Sequence, residues 1–285
     1  MNDGLDDVRA ETLTHCNDSI DLARRARLHV LQMVHHANAS HVGTCFSIAD
    51  ILAVLYSGIL RVDPSQPQHP DRDRFILSKG HAAAVLYSIL AESGYFPHTF
   101  LGKFCDDHSP LAGHATHKDV PGVEVSTGAL GHGLSLGCGM ALAGRCAATP
   151  FSVYVALSDG ELNEGAIWEA AMFAGHHGLS NLTAIVDANG LQGFGTVREV
   201  LNLEPLADKW AASGWSVAEV DGHDHPGLRH AMTQAARRQK TPTVIIARTV
   251  KGKGVSFMEN KLEWHYRSPN DEQLAQASAE LEGAS

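Results

Sequence analysis

The stretch SVYVALSDGELNEGAIWEAAMFAGHHGLSNLTAIVDANGLQ (residues 152–192) decides the fold. It holds an apolar, β-branched run (SVYVAL, 152–157), a Ser-Asp-Gly junction, a helix beginning near Glu164 and a second apolar run (LTAIVD, 182–187). Strand, crossover helix and strand in that order form a β-α-β unit, whose strands lie parallel. Two more runs, WSVAEVD (215–221) and TVIIAR (243–248), continue the alternation with helix-like segments. Strands that read as near-continuous apolar runs are covered on both faces. The pattern predicts a doubly wound α/β fold, a mostly parallel sheet with helices on both faces.

Outward from this core, residues 19–38 read as an amphipathic helix with Ile20, Ala23, Leu31 and Val34 on its apolar side and Asp18 or Ser19 as cap. A second helix, apolar on most sides and therefore buried, is expected from Ser47 to Ile59. Three prolines in DPSQPQHPDRD interrupt the chain before a short strand at FILS, a small-residue turn (KGHAAA) and a helix ending near Gly94. Between Phe96 and Thr127 periodicity is lost, yet His98, His108, His114 and His117 all fall there; long segments of this kind are functional or mobile more often than structural. After Arg248 only 37 residues remain, which leaves no room for another α/β domain. The expectation is one domain over 1–285, with a helical segment about 1–60 and a polar helical tail about 268–285.

The 285 residues carry 22 Lys+Arg against 32 Asp+Glu, a formal charge of −10, which argues against a nucleic-acid binder. Five cysteines form no CxxC pair and leave an odd count, so neither a disulfide framework nor a zinc ribbon is suggested, and a reducing cytoplasm fits. The first residues lack an apolar signal core, and no apolar run is read as approaching the roughly 20 residues that span a bilayer. Histidine is the unusual component, at 18 residues, but no HExxH or closely spaced Cys/His ligand set appears.

Ligands of parallel α/β sheets gather beyond the carboxyl ends of the strands. Two junctions there carry chemistry. After the first run, Asp159 can reach a cation, and Gly160 lets the backbone approach a phosphate. After the second, Asn189 offers an amide oxygen and the Gly190-Leu191 turn frees a carbonyl. Asp159 and Asn189 are 30 residues apart, one β-α-β unit, so adjacent strands bring them to one ion. Carboxylate, amide oxygen, carbonyl, water and two phosphate oxygens make an octahedral Mg2+ shell.

SDGELNEG followed by VDANGLQG resembles the signature of thiamine-diphosphate enzymes. ANASHVGTCFSIADIL, LSKGHAAAVLYSILAESGYF and VEVSTGALGHGLSLGCGMALAG are similar, in order, to the SGHxG, GH-containing and TGxLGxG segments of transketolases; LEPLADKWAASGW, VDGHDH and ARTVKGKGVSFME extend the likeness over nearly the whole chain. The resemblance implies the diphosphate-binding (PP-type) subunit of a split transketolase, a carbohydrate-metabolism enzyme of the pentose phosphate kind. It implies thiamine diphosphate and Mg2+ as cofactors, Ca2+ or Mn2+ being able to replace the latter. It further implies that Asp159, Asn189 and the Leu191 carbonyl bind the metal, and that Gly128, Ala129, Leu130 and Gly160 line the cofactor. His81 and His265 would contact diphosphate or substrate oxygens, and His41 and His114 would face the ketose. Imidazole suits that work because cleaving a ketose between C2 and C3 moves protons near neutral pH. His35, His36, His176, His177, His223 and His225 lie outside such motifs or lack a role in them and are expected to be structural or on the surface.

Departures from the family pattern are Ser158 in place of the usual glycine, Ala129 for proline, His132 for glutamine and Gly193 for an apolar residue. The glutamate that activates the cofactor belongs, in this family, to a pyrimidine-binding domain of on the order of 150 residues; Glu161 and Glu164 sit in the metal-side motif and are not candidates. A C-terminal transketolase subunit is therefore implied as partner, in an α2β2 assembly acting on a sugar or sugar phosphate, with neither nucleic acid nor membrane. Two other readings stay open: the α subunit of a 2-oxo-acid dehydrogenase, and a non-catalytic regulator that kept the fold.

Overall fold

The computed structural model describes residues 19–147, 150–237 and 240–283. Asp18, Cys16 and the rest of the first 18 residues lie outside them. In chain order the principal elements are α1 (Ser19–His36), α2 (Val42–Val54), β1 (Arg74–Leu77), α3 (Ala83–Glu92), α4 (Gly133–Cys146), β2 (Val153–Ser158), α5 (Gly165–His176) and β3 (Leu182–Ala188). Then come a small hairpin, β4 (Leu191–Gln192) and β5 (Gly195–Thr196), followed by α6 (Val197–Leu201), α7 (Leu206–Ala212), β6 (Ser216–Asp221), α8 (His225–Ala236), β7 (Thr243–Arg248) and α9 (Asp271–Gly283).

The expected doubly wound α/β fold is present. Five parallel strands run in the order β1-β2-β3-β7-β6, and the short FILS strand takes an edge beside β2. Successive side chains of a strand point to opposite faces. Tyr154 and Ala156 accordingly join the core under α1, α2, α3 and α8, whereas Val153, Val155 and Leu157 join the core under α4, α5 and α7.

Three local expectations differ from the structure. Ile20 is 63% exposed, while Ala23, Leu31 and Val34 are buried as expected, so the apolar stripe of α1 starts at Leu22. Helix α2 begins at Val42, five residues before Ser47: its first turn is buried, and a Cβ on Gly43 would stand 3.1 Å from Lys251 Cγ and 3.2 Å from the Trp264 carbonyl. Tertiary packing here overrides a Gly-Thr pair that reads locally as loop. Finally, Val42–Ile59 is an 18-residue helical run with mean hydropathy 1.7, long and apolar enough to cross a membrane, contrary to the sequence reading. It is 89% buried inside the protein, so its apolar surface serves the core.

The strand ends are joined by a charged network at the bottom of the carboxyl edge. Lys79, just past β1, pairs with Asp187 of β3, and both are fully buried. Asp187 also accepts from Ser47 Oγ of α2 at 2.5 Å and from Thr249 Oγ1 just past β7. Burial alone would raise the Asp187 pKa, but the Lys79 charge and these hydrogen bonds hold it below the usual carboxylate value. Lys79→Met should therefore destabilise the fold by about 3–5 kcal/mol, because it strands a buried carboxylate. Urea unfolding measures this; a change within about 1 kcal/mol would show that the pair does not tie the strand ends together.

Candidate active site

The carboxyl ends of β1, β2, β3 and β7 open into a cavity of about 410 Å3. Its wall collects residues from segments far apart in sequence: His41 ahead of α2, His81 after β1, His114 from the long loop, Asp159 after β2, Asn189 after β3, Lys251 after β7 and His265 from the following turn.

At one end lie the oxygens expected to hold a cation. Asp159 is buried, and its carboxylate accepts from the backbone of Gly160 at 2.8 Å and of Gly190 at 2.6 Å. Burial, and next the charge of Asp187, push its pKa up to about 6 in spite of those hydrogen bonds. Asn189 is also buried, and its Oδ1 accepts from Leu191 N at 3.1 Å, which aims the amide oxygen at the turn. Lys251 Nζ donates to the Leu191 carbonyl at 3.2 Å, and burial followed by Lys79 lowers the Lys251 pKa to about 8. A Cβ on Gly160 would come within 2.8 Å of Gln192 Cβ, so the close packing of this turn on β4 requires glycine. The donor set is a carboxylate, an amide oxygen and a carbonyl beside an ionised group that burial penalises. That chemistry fits a hard divalent cation.

At the other end, all four histidines singled out from sequence converge. The His41 ring centroid lies 5.2 Å from His81, 5.9 Å from His114 and 5.1 Å from His265. His41 is held in the left-handed region (φ 76°), and its N–H donates to the His265 carbonyl at 3.1 Å. Lys251 Nζ donates to His265 Nδ1 at 3.0 Å, which leaves the proton of the neutral ring on Nε2. Burial first, then neighbouring cations and rings, lower the His41 pKa to about 4 and that of His265 to about 3; His81 is lowered well below its ordinary value by burial and Lys79. Gly128 (φ 150°) lies so close to His114 that a Cβ would stand 3.0 Å from its ring. Gly128 and Leu130 line the cavity, whereas Ala129 between them is exposed and lies outside its lining.

Two departures from the family pattern have a structural account. Ser158 turns its hydroxyl to accept from Glu161 N at 3.3 Å, and Glu161 Oε2 accepts from Ser158 N at 3.2 Å. Gly193 accepts at its carbonyl from the Tyr266 hydroxyl at 2.6 Å, and a Cβ there would meet that hydroxyl at 2.7 Å. Tyr266 thus occupies space that a larger residue at 193 would need.

Sequence reasoning missed Lys79, Lys251 and the anchoring role of Glu161, which is buried and accepts from Ser78 Oγ and from Gly131 N at 3.0 Å. A signal for the lysines exists, since Lys79 lies inside LSKGH and Lys251 inside TVKGKG, both just past strands. His223 and His225, expected to be structural, both pair with the buried Asp50, at 2.6 Å and 3.1 Å.

A crevice at the carboxyl edge that joins a hard-cation donor set to a histidine cluster defines a cofactor-binding α/β domain. The family model described as transketolase, thiamine diphosphate binding domain, matches residues 19–282, and the chain belongs to that family. It is 40% identical over 259 residues to an apulose-4-phosphate transketolase subunit of Phocaeicola vulgatus, covering 91% of this chain and 92% of that one. It is 42% identical over 266 residues to a 6-deoxy-6-sulfo-D-fructose transketolase subunit of a Clostridium species, covering 92% and 97%. Among solved structures, the transketolase of Leishmania mexicana superposes with a TM-score of 0.88 at 31% identity. That match takes in 93% of this chain and 41% of the Leishmania chain, so the chain spans about two fifths of that enzyme.

The lowered values of His41 and His265 mean that both rings are neutral at pH 7. Their carbon-bound ring protons should show no titration between pH 5.5 and 8 by NMR; a midpoint near 6.5 for either would contradict the burial argument. Because the folded-state values lie below the unfolded 6.5, these rings oppose protonation in the fold, and their contribution to stability is lost as pH falls from about 6.5 toward 4 for His41 and toward 3 for His265.

Proposed function

We propose that this chain is the diphosphate-binding subunit of a split transketolase, moving a two-carbon ketol group from a ketose, a ketose phosphate in our reading, to an aldose acceptor. The observation that carries the proposal is the convergence of His41, His81, His114 and His265 on the same cavity as Asp159, Asn189 and the Leu191 carbonyl.

In this reading Asp159, Asn189 Oδ1 and the Leu191 carbonyl hold Mg2+, while Gly160 and the Gly128 turn let the backbone approach the diphosphate. Bound thiamine diphosphate supplies the electron sink for the pair released when the C2–C3 bond of the ketose breaks. His81 and His265 donate hydrogen bonds to diphosphate or substrate oxygens, His265 through Nε2. A neutral His41 can accept a hydroxyl proton and return it, and His114, exposed on the cavity wall, does the same at a second hydroxyl. A decarboxylating 2-oxo-acid subunit has no sugar hydroxyls to serve, and the convergence of four imidazoles speaks against that reading.

A separate C-terminal subunit is proposed to bring the activating glutamate, in an α2β2 assembly. Support comes from the relatives named as transketolase subunits, matched over 92% and 97% of their own length. Apolar side chains left on the surface fit the same reading: Phe194, 88% exposed at the cavity rim, and Leu136, Met172 and Phe173 on α4 and α5.

Supplied with thiamine diphosphate and Mg2+, the chain alone should transfer no ketol group, and addition of the partner should restore transfer; full activity of the isolated chain would contradict the proposal. Asp159→Ala should abolish cofactor retention in calorimetry, and undiminished affinity would remove Asp159 from the metal site.

A further inference from the structure

Away from the cavity, His29 of α1, Glu92 at the end of α3 and His98 at the start of the long loop converge with ligand atoms all within 4.8 Å of one another. No spacing rule brings these residues together, since His29 is 63 residues from Glu92 and lies on a different helix. We propose that these three side chains form a transition-metal site suited to Zn2+, which fastens the start of the loop that carries His114 to α1 and α3.

The arrangement of donors supports this. Glu92 Oε1 stands 2.8 Å from His29 Nε2 and 3.3 Å from His98 Nε2. Ligands bonded to zinc at about 2.0–2.1 Å lie roughly 3.3 Å apart across a tetrahedron, so small side-chain shifts place an ion among the three. The two imidazoles stack nearly parallel, 19° apart with centroids at 5.4 Å, and present the same Nε2 edge to one carboxylate oxygen. Glu92 is oriented for this. Arg25 Nε donates to its other oxygen, Oε2, at 2.8 Å, leaving Oε1 to the histidines. Arg25 is itself paired with Asp21, which offsets the positive charge beside the ion. Glu92 is mostly buried, His29 partly, and His98 is 56% exposed, so an ion has an entry path and water can fill the fourth position.

Two imidazoles and one carboxylate with an open fourth position form a zinc-type donor set. Mg2+ prefers an octahedron of oxygens, so this site and the Asp159 site select different ions. The inference does not depend on the proposed ketol transfer. Its structural consequence is that bound metal joins α1, α3 and the turn at His98–Lys103 through side chains that are otherwise linked by hydrogen bonds, ion pairs and the stacking of the two rings.

The test is a calorimetric titration of the full, metal-stripped chain with ZnCl2, comparing wild type with His98→Ala and with His114→Ala, which alters the cavity histidines. Wild type should bind one Zn2+ at this site; His98→Ala should weaken that event by about tenfold or more, and His114→Ala should retain it. His98→Ala should melt like wild type in EDTA, since its side chain is largely exposed, so that loss of binding is not loss of fold. A titration in which His98→Ala matches wild type, or in which only His114→Ala loses the tight event, places the ion elsewhere and overturns the proposal.

Discussion

The buried ion pair between Lys79 and Asp187 is the constraint on which the rest of the site depends. A charge removed from water is tolerable only when its partner and hydrogen bonds are fixed. Here the fixing groups come from four places: the turn after β1, strand β3, Ser47 of α2 and Thr249 after β7. Each of those segments also delivers a cavity residue nearby in sequence, namely His81, Asn189, His41 and Lys251. Satisfying one buried carboxylate therefore sets the relative positions of the chemical groups above it.

The same network sets the electrostatics of the cavity. Asp187 is held ionised, and its charge is the second cause, after burial, of the raised pKa of Asp159. Lys79 and Lys251 act in the opposite sense on the imidazoles, adding to burial in keeping His41, His81 and His265 uncharged. The result is a crevice divided by charge preference. One end is a carboxylate that gains from a cation, and the other is a group of neutral rings able to accept and donate protons. An acidic chain of net charge −10 can bind an anionic cofactor under these conditions, because the proposed cation and backbone amides would meet the charge locally.

Much of this is legible in the sequence because strand periodicity and strand-end chemistry are local signals. SVYVAL and LTAIVD predict adjacent parallel strands, and the register pairs Ser158 with Asp187, which puts Asp159 and Asn189 at neighbouring strand ends. The four histidines are legible only through motif context, since no spacing rule joins His41 to His265. What escapes a sequence reading depends on tertiary contacts. The start of α2 at Val42 follows from packing on Lys251 and Trp264, the exposure of Ile20 from where α1 meets its neighbours, and the zinc-type set from helices and a loop that meet only in the fold. Gly193 likewise reads as a departure in the sequence and as a fit in the fold, where Tyr266 fills the space beside it.

In the proposed reading, the carboxyl edge of this sheet holds a metal-bound diphosphate against a histidine wall. A crystal structure of the chain grown with thiamine diphosphate and Mg2+ tests this most directly. Mg2+ is expected at about 2.0–2.1 Å from an Asp159 oxygen, Asn189 Oδ1 and the Leu191 carbonyl, with the diphosphate over Gly160 and the thiazolium side toward His41 and His114. Cofactor density elsewhere, or an ion that does not touch Asp159 and Asn189, would contradict it.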